Sequence, residues 1–178
     1  MRNKPKYFIL IIYFIINFFN FSTAQDEFKF NITEIEIVED GNLVVGTKYG
    51  KAETSDGFII IAENFVYNKS KNILNVSGDV KFYNKNDGLK IFSDKATYLK
   101  NTELIFTKGN SLAINKNITI TASNFKFEKI KNILTADKNV KFVDKEKDTI
   151  INSDKATYLK NDEVVFTEGN SKAINENN

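Results

Sequence analysis

The sequence predicts an all-β protein, an antiparallel roll built from stacked hairpin repeats. Three observations lead there: an internal repeat of 60 residues, an apolar alternation of period two, and no helical periodicity over any ten residues after residue 24. SDKATYLKN fills Ser93 to Asn101 and returns unchanged from Ser153 to Asn161. KNIL at Lys71 recurs at Lys131, and FTKGNS at Phe106 returns as FTEGNS at Phe166. Laid on 120–178 without a gap, residues 60–118 share 33 identities in 59 positions. Each unit holds a weaker half-repeat of about 30 residues, in which Tyr67-Asn68-Lys69 matches Tyr98-Leu99-Lys100 and Gly78-Asp79 matches Gly109-Asn110. The expected organisation is a leader at 1–24 and one β-repeat domain at 25–178. That domain has a looser first element at 28–59 and units at 60–119 and 120–178.

The strands come from the alternation. Phe58, Ile60 and Ala62 are apolar or small at every second position, as are Leu89, Ile91 and Ser93, and Ile118, Ile120 and Ala122. After Ala62 the register slips by one, and Phe65 and Tyr67 carry the apolar series on. The same slip precedes Ala96 and Tyr98, Phe125 and Phe127, and Ala156 and Tyr158. A slip at one recurring place points to a β-bulge, which bends a strand. Return strands follow at Leu74, Val76, Val80 and Phe82, and again at Leu134, Ala136, Val140 and Phe142. Asn, Lys, Asp and Ser between them suit turns. The only proline, Pro5, lies ahead of every strand. A single hairpin cannot bury its apolar face alone, so neighbours are expected to stack on one continuous core.

Composition narrows the chemistry. The chain has no His, Cys or Trp. Without His it lacks the usual neutral-pH base and the commonest metal ligand; without Cys it has neither disulfides nor thiolate ligands. The first residues read as a signal peptide. Arg2, Lys4 and Lys6 precede an apolar run from Tyr7 to Phe21, and Ser22-Thr23-Ala24 offers a cleavage site after Ala24. The run is short of the roughly 20 residues that span a bilayer. Residues 1–24 carry three of the 25 basic residues and none of the 23 acids, so the remainder has 22 against 23. That balance gives nucleic-acid binding no electrostatic support.

No catalytic constellation is visible, and the chain is expected not to be an enzyme and to need no cofactor. Asp94, Asp154 and Glu63 read as bulge residues whose carboxylates bond nearby backbone N–H groups. The acids are too dispersed for a calcium loop. Asn31, Asn68, Asn75 and Asn117 begin N-x-Ser/Thr triplets, as chance allows in an Asn-rich chain. Tyr67, Tyr98 and Tyr158 are expected to close the core at strand ends.

DGFIIIAENFVY (Asp56 to Tyr67) and GLKIFSDKATY (from Gly88), followed by NILNVSGDVKF (from Asn72), resemble the OstA-like family of periplasmic lipopolysaccharide-transport domains. This family includes LptA-like bridge proteins and the N-terminal domain of LptD-like assembly proteins. The resemblance runs from about Phe28 to Asn178, its short elements recurring four times in the same order. It implies a twisted β-jellyroll with an apolar groove that shelters the acyl chains of lipopolysaccharide, in the periplasm and in contact with outer-membrane assembly. It also implies head-to-tail joining with other OstA-like domains through strand edges. The groove candidates are Ile60, Ala62, Phe65, Leu74, Val76, Val80, Phe82, Ile91, Ile105, Ile120, Phe125, Leu134, Val140, Phe142 and Ile151. The rival reading is a secreted structural or adhesive β-repeat protein with a closed core and no lipid ligand. Lys138 departs from the pattern, standing where Gly78, Gly109 and Gly169 predict glycine, so its turn is expected to be built otherwise.

Overall fold

The chain was described from a computed structural model, which covers residues 28–84 and 87–175. The expected signal peptide lies outside the described residues. Fourteen strands make one antiparallel sheet: β1 (Lys29–Val38), β2 (Leu43–Glu53), β3 (Phe58–Ala62), β4 (Asn64–Asn68), β5 (Ile73–Asn84), β6 (Asp87–Leu99), β7 (Leu104–Lys108), β8 (Ser111–Asn115), β9 (Ile118–Ala122), β10 (Asn124–Glu128), β11 (Ile133–Asp144), β12 (Thr149–Leu159), β13 (Val164–Glu168) and β14 (Lys172–Asn175). β3 with β4, β7 with β8, β9 with β10 and β13 with β14 are each one long strand interrupted midway. The path is therefore an up-and-down meander of long strands.

Every long strand bends at its middle. β2 pairs β4 through Leu43 to Gly46 but β3 through Gly50 to Glu53. β6 pairs β7 and β8, β11 pairs β10 and β9, and β12 pairs β13 and β14, divided in the same way. The sheet is thus folded lengthwise into two arms that face each other. Side chains from both arms form one core, as where Phe58 meets Tyr98 edge-on at 6.0 Å and Phe142 meets Tyr158 at 6.1 Å.

The bend has a repeated chemistry. Two successive residues take positive φ at Lys48-Tyr49, Gly78-Asp79, Gly109-Asn110, Lys138-Asn139 and Gly169-Asn170. One extra residue in these strands faces a single residue of the neighbour: Glu63, Asp94, Ser123 or Asp154. The register shifts between Ser77 and Val80 and between Asp137 and Val140 record it. The sequence shows the slip only in the other strands, because Val76 and Val80 keep the period-two phase across their bulge. Backbone hydrogen bonds of 2.9–3.1 Å cross the fold line, including Glu63 N–H to Gly78 C=O, Ser123 N–H to Lys138 C=O and Asp154 N–H to Gly169 C=O.

Lys138 is where the sequence expectation needs correction. Its turn is not built otherwise; it has the same left-handed geometry, at φ +64°. What changes is the residue opposite. A Cβ on Gly78 would lie 2.3 Å from a Glu63 carboxylate oxygen, and one on Gly109 or Gly169 would lie 2.4 Å from Asp94 or Asp154. Opposite Lys138 stands Ser123, whose short side chain leaves the space that those carboxylates fill. Glycine and acid, or lysine and serine, are exchanged as a pair.

The core then follows from register. In one arm the ladder connects Phe30, Ala52, Ile60, Phe82, Ile91, Ala113, Ile120, Phe142 and Ile151 partner to partner. In the other it connects Val44, Tyr67, Leu74, Tyr98, Ile105, Phe127, Leu134, Tyr158 and Val165. Two apolar rows therefore run at right angles to the strands along the length of the sheet. At the fold line, Gly78→Ala is expected to destabilise the protein by about 1–2 kcal/mol, the cost of a non-glycine residue in the left-handed region. Glu63→Ser in the same chain should recover part of that loss, and a double-mutant cycle by urea unfolding measures the coupling.

Candidate functional site

The space between the two arms is the candidate site. Fourteen of the fifteen groove candidates, all except Ile151, are buried there. Ile151 is half-buried and packs against the same core. The sheet thus brings together residues from Ile60 to Ile151 that the chain separates by up to one and a half repeats. The bends close one side of this space. On the other side the strand-connecting turns of the two arms approach each other as two lips.

One lip carries the turns after Val38, Asn68, Leu99, Glu128 and Leu159, and the other carries those after Glu53 and Asn115 and before Thr149. Between the lips lies a cavity of about 160 Å³, lined by Phe58, Phe82, Asn84, Leu89, Ile91, Phe127, Lys129 and Asn132. An apolar cavity of about 150 Å³ elsewhere admits one benzene ring. This one is therefore wide enough for a slender apolar group, with lysine and amide side chains at its rim.

Lys129 organises the rim. Its ammonium lies 2.6 Å from Glu103 on its own lip and 2.5 Å from Asp56 on the opposite one. It also stands over the ring of Phe58 at 5.2 Å, a cation–π distance. Glu103 further accepts hydrogen bonds from Lys100 and from the Tyr98 hydroxyl. Burial acts to raise the Asp56 and Glu103 carboxyls. The hydrogen bonds outweigh it and hold both below their ordinary range: Lys129 and Thr54 for Asp56, and Lys100, Lys129 and Tyr98 for Glu103. Burial acts to lower Lys129, and its two carboxylate partners outweigh that and raise it. Burial and the Glu103 carboxylate both raise the Tyr98 hydroxyl, which stays protonated.

The three tyrosines sit at the lips, as expected of strand-end closures. Tyr67 donates to Asn72 at 2.8 Å, and Tyr158 accepts from Asn115 across the seam at 3.0 Å. Asp94 and Asp154 sit at the fold line. Each accepts a hydrogen bond from an asparagine side chain, Asn110 at 2.9 Å and Asn170 at 2.8 Å. These bulge acids thus have side-chain amide partners where backbone N–H groups were expected. Among the described residues no three acids are grouped to hold a metal ion. Sequence reasoning missed Asp56, Glu103 and Lys129. Their meeting joins residues 73 positions apart, and no local pattern marks such a contact.

Acid should weaken this cluster. A carboxylate whose pKa is lowered on folding contributes stability above its ordinary range, and that contribution is lost as pH falls through the lowered value. The groups facing Lys129 are Asp56, Glu103, Lys100 and the neutral Tyr98. The melting temperature should therefore fall below about pH 4. Lys129→Met should show a shallower fall over the same range, measured by thermal unfolding followed by circular dichroism.

Residues 34–177 match the family model described as OstA-like protein. No curated protein sequence matches the chain significantly. Among solved structures, the chain is similar to LptH from Pseudomonas aeruginosa, described as the LptA-homologous periplasmic component of the lipopolysaccharide transport device. The TM-score is 0.59 at 12% identity, over 67% of this chain and 97% of that one. At that identity the likeness concerns the fold, a β-jellyroll of the LptA kind. The family match spans most of the sequence and agrees with the folded meander: the chain belongs to the OstA-like family.

Proposed function

We propose that the chain is a non-enzymatic carrier that shelters the acyl chains of lipopolysaccharide between its two arms in the periplasm, after export on residues 1–24. The observation that carries this reading is the pair of continuous apolar rows between the arms. At about 4.8 Å per strand they extend for roughly 40 Å at right angles to the chain direction. A linear hydrocarbon lying along them loses water at every methylene, each contributing roughly 0.8 kcal/mol. Family membership and the LptH-like fold support the same function. The fifteen groove candidates are the residues proposed to meet the acyl chains.

Close packing supports the rival. The groove candidates other than Ile151 are buried by the protein's own side chains, as in a structural repeat with a closed core. Photocrosslinking to purified lipopolysaccharide separates the two. Carriers of a photoreactive residue at Phe65, Val76 or Phe82 should crosslink, and a control at the outward-facing Lys141 should not. Absence of crosslinks from a folded protein at all inner positions would favour the structural repeat.

We propose further that other OstA-like domains add at the strand edges. Among the described residues β1, β13 and β14 each pair on one side only. Ala173 is exposed although its counterpart Ala113 is buried, and Val165 is half-buried where Ile105 is buried. A following strand would cover both positions and satisfy the edge by main-chain pairing. Ala173→Asp should weaken self-association at least about tenfold, equivalent to about 1.4 kcal/mol, as read by sedimentation velocity over a concentration series.

A further inference from the structure

We propose that Lys129 is an ionic latch on the lateral seam: by tying Asp56 on one lip to Glu103 on the other, it shuts the 160 Å³ cavity against a linear alkyl chain. This inference rests on the carrier reading and adds a gate to it. Three observations support it.

The first is placement. Lys129 and Asn132 form part of the cavity wall, together with the buried Phe58, Phe82, Leu89, Ile91 and Phe127. The lysine is therefore over the apolar space and not beside it. Its stem lies against that space while its ammonium reaches the carboxylates.

The second is asymmetry within the cluster. The Lys129 and Glu103 side chains are each 15% exposed, whereas Asp56 is 50% exposed. Glu103 is held on its own lip by Lys100 and Tyr98 as well, and Lys129 N–H donates to Glu103 C=O at 3.1 Å. The limb from Lys129 to Asp56 spans the seam and ends in solvent. It can break while both buried partners keep each other, which avoids the large cost of an orphaned buried charge.

The third is recurrence. Sixty residues after Asp56 stands Lys116, and sixty after Glu103 stands Glu163. Lys116 and Glu163 face each other across the seam at 2.7 Å. The tie is thus made again 60 residues further along, with the charge on the Asp56 lip reversed. One position changes sign, Asp56 to Lys116, while Glu103 and Glu163 stay acidic, and the lips are joined in both cases, through Lys129 in the first and directly in the second. The second tie is much more open, its side chains 72% and 47% exposed. Surface pairs of that kind hold weakly. The seam is therefore locked at the Lys129 tie and looser at Lys116.

The variant that isolates the latch is Asp56→Asn in the full chain. It cuts the crossing limb and leaves the Lys129–Glu103 pair intact. The chain has no cysteine of its own, so nitroxides placed at Ser55→Cys and Ile130→Cys report the lip separation alone. Uptake is followed with parinaryl alcohol, a neutral linear polyene that fluoresces on leaving water. The expected result is a wider label distance and uptake about tenfold faster in Asp56→Asn than in the parent, the rate ratio given by about 1.4 kcal/mol. Asp56→Glu should restore both. An unchanged distance and rate in a variant that melts like the parent would overturn the latch. Equal uptake by both proteins at a fixed distance would also overturn it, while leaving the carrier reading in place. A wider distance with no uptake by either protein would keep the lip tie but overturn the gate together with the carrier reading.

Discussion

The line of bends down the middle of the sheet is the constraint on which everything else depends. An unbent meander of this length would expose one whole apolar face. Placing two left-handed residues against one at each second strand turns that face inward on itself. Six of the ten residues in these pairs are lysine, tyrosine or asparagine, and one is aspartate, so the fold line does not depend on glycine alone. It depends on space. Glycine is needed where an acid fills the corner, at Glu63, Asp94 and Asp154. Lysine is accommodated where the corner holds Ser123.

Once the sheet is folded, its two sides differ in kind. The bend side is continuous backbone, stitched by main-chain hydrogen bonds. The opposite side is a seam between turns, joined by side chains: Lys129 with Asp56, Tyr158 with Asn115, and Lys116 with Glu163. Main-chain pairing yields only when the sheet unravels. Side-chain pairs across a wet seam can open one by one. On the carrier reading proposed above, that weak side is where an apolar guest would enter without unfolding the sheet.

The same division sets the chemistry. The interior offers hydrocarbon and little else, with polar atoms confined to the lips and the corners. The titratable groups with shifted pKa values around Lys129 are matched to one another as charge partners, which suits a tie more than a proton transfer.

The sequence by itself determined the strands, their order and their core face, because side-chain alternation is a local property repeated every 30 and 60 residues. It also carried the family, through the spacing of short elements around Asp56–Tyr67 and Gly88–Tyr98. All fifteen groove candidates lie on the inner face, fourteen of them buried. The recurring slip at Glu63, Asp94, Ser123 and Asp154 marked the fold line in every other strand, but only the tertiary structure showed the paired left-handed residues opposite, because at Val76 and Val80 the bulge leaves the alternation undisturbed. The tertiary structure alone also explained Lys138, since the reason is the residue opposite and not a neighbour in the chain. The seam was equally beyond the sequence: Asp56, Glu103 and Lys129 come from three separate turns, and nothing local records that folding a sheet in half brings their charges together.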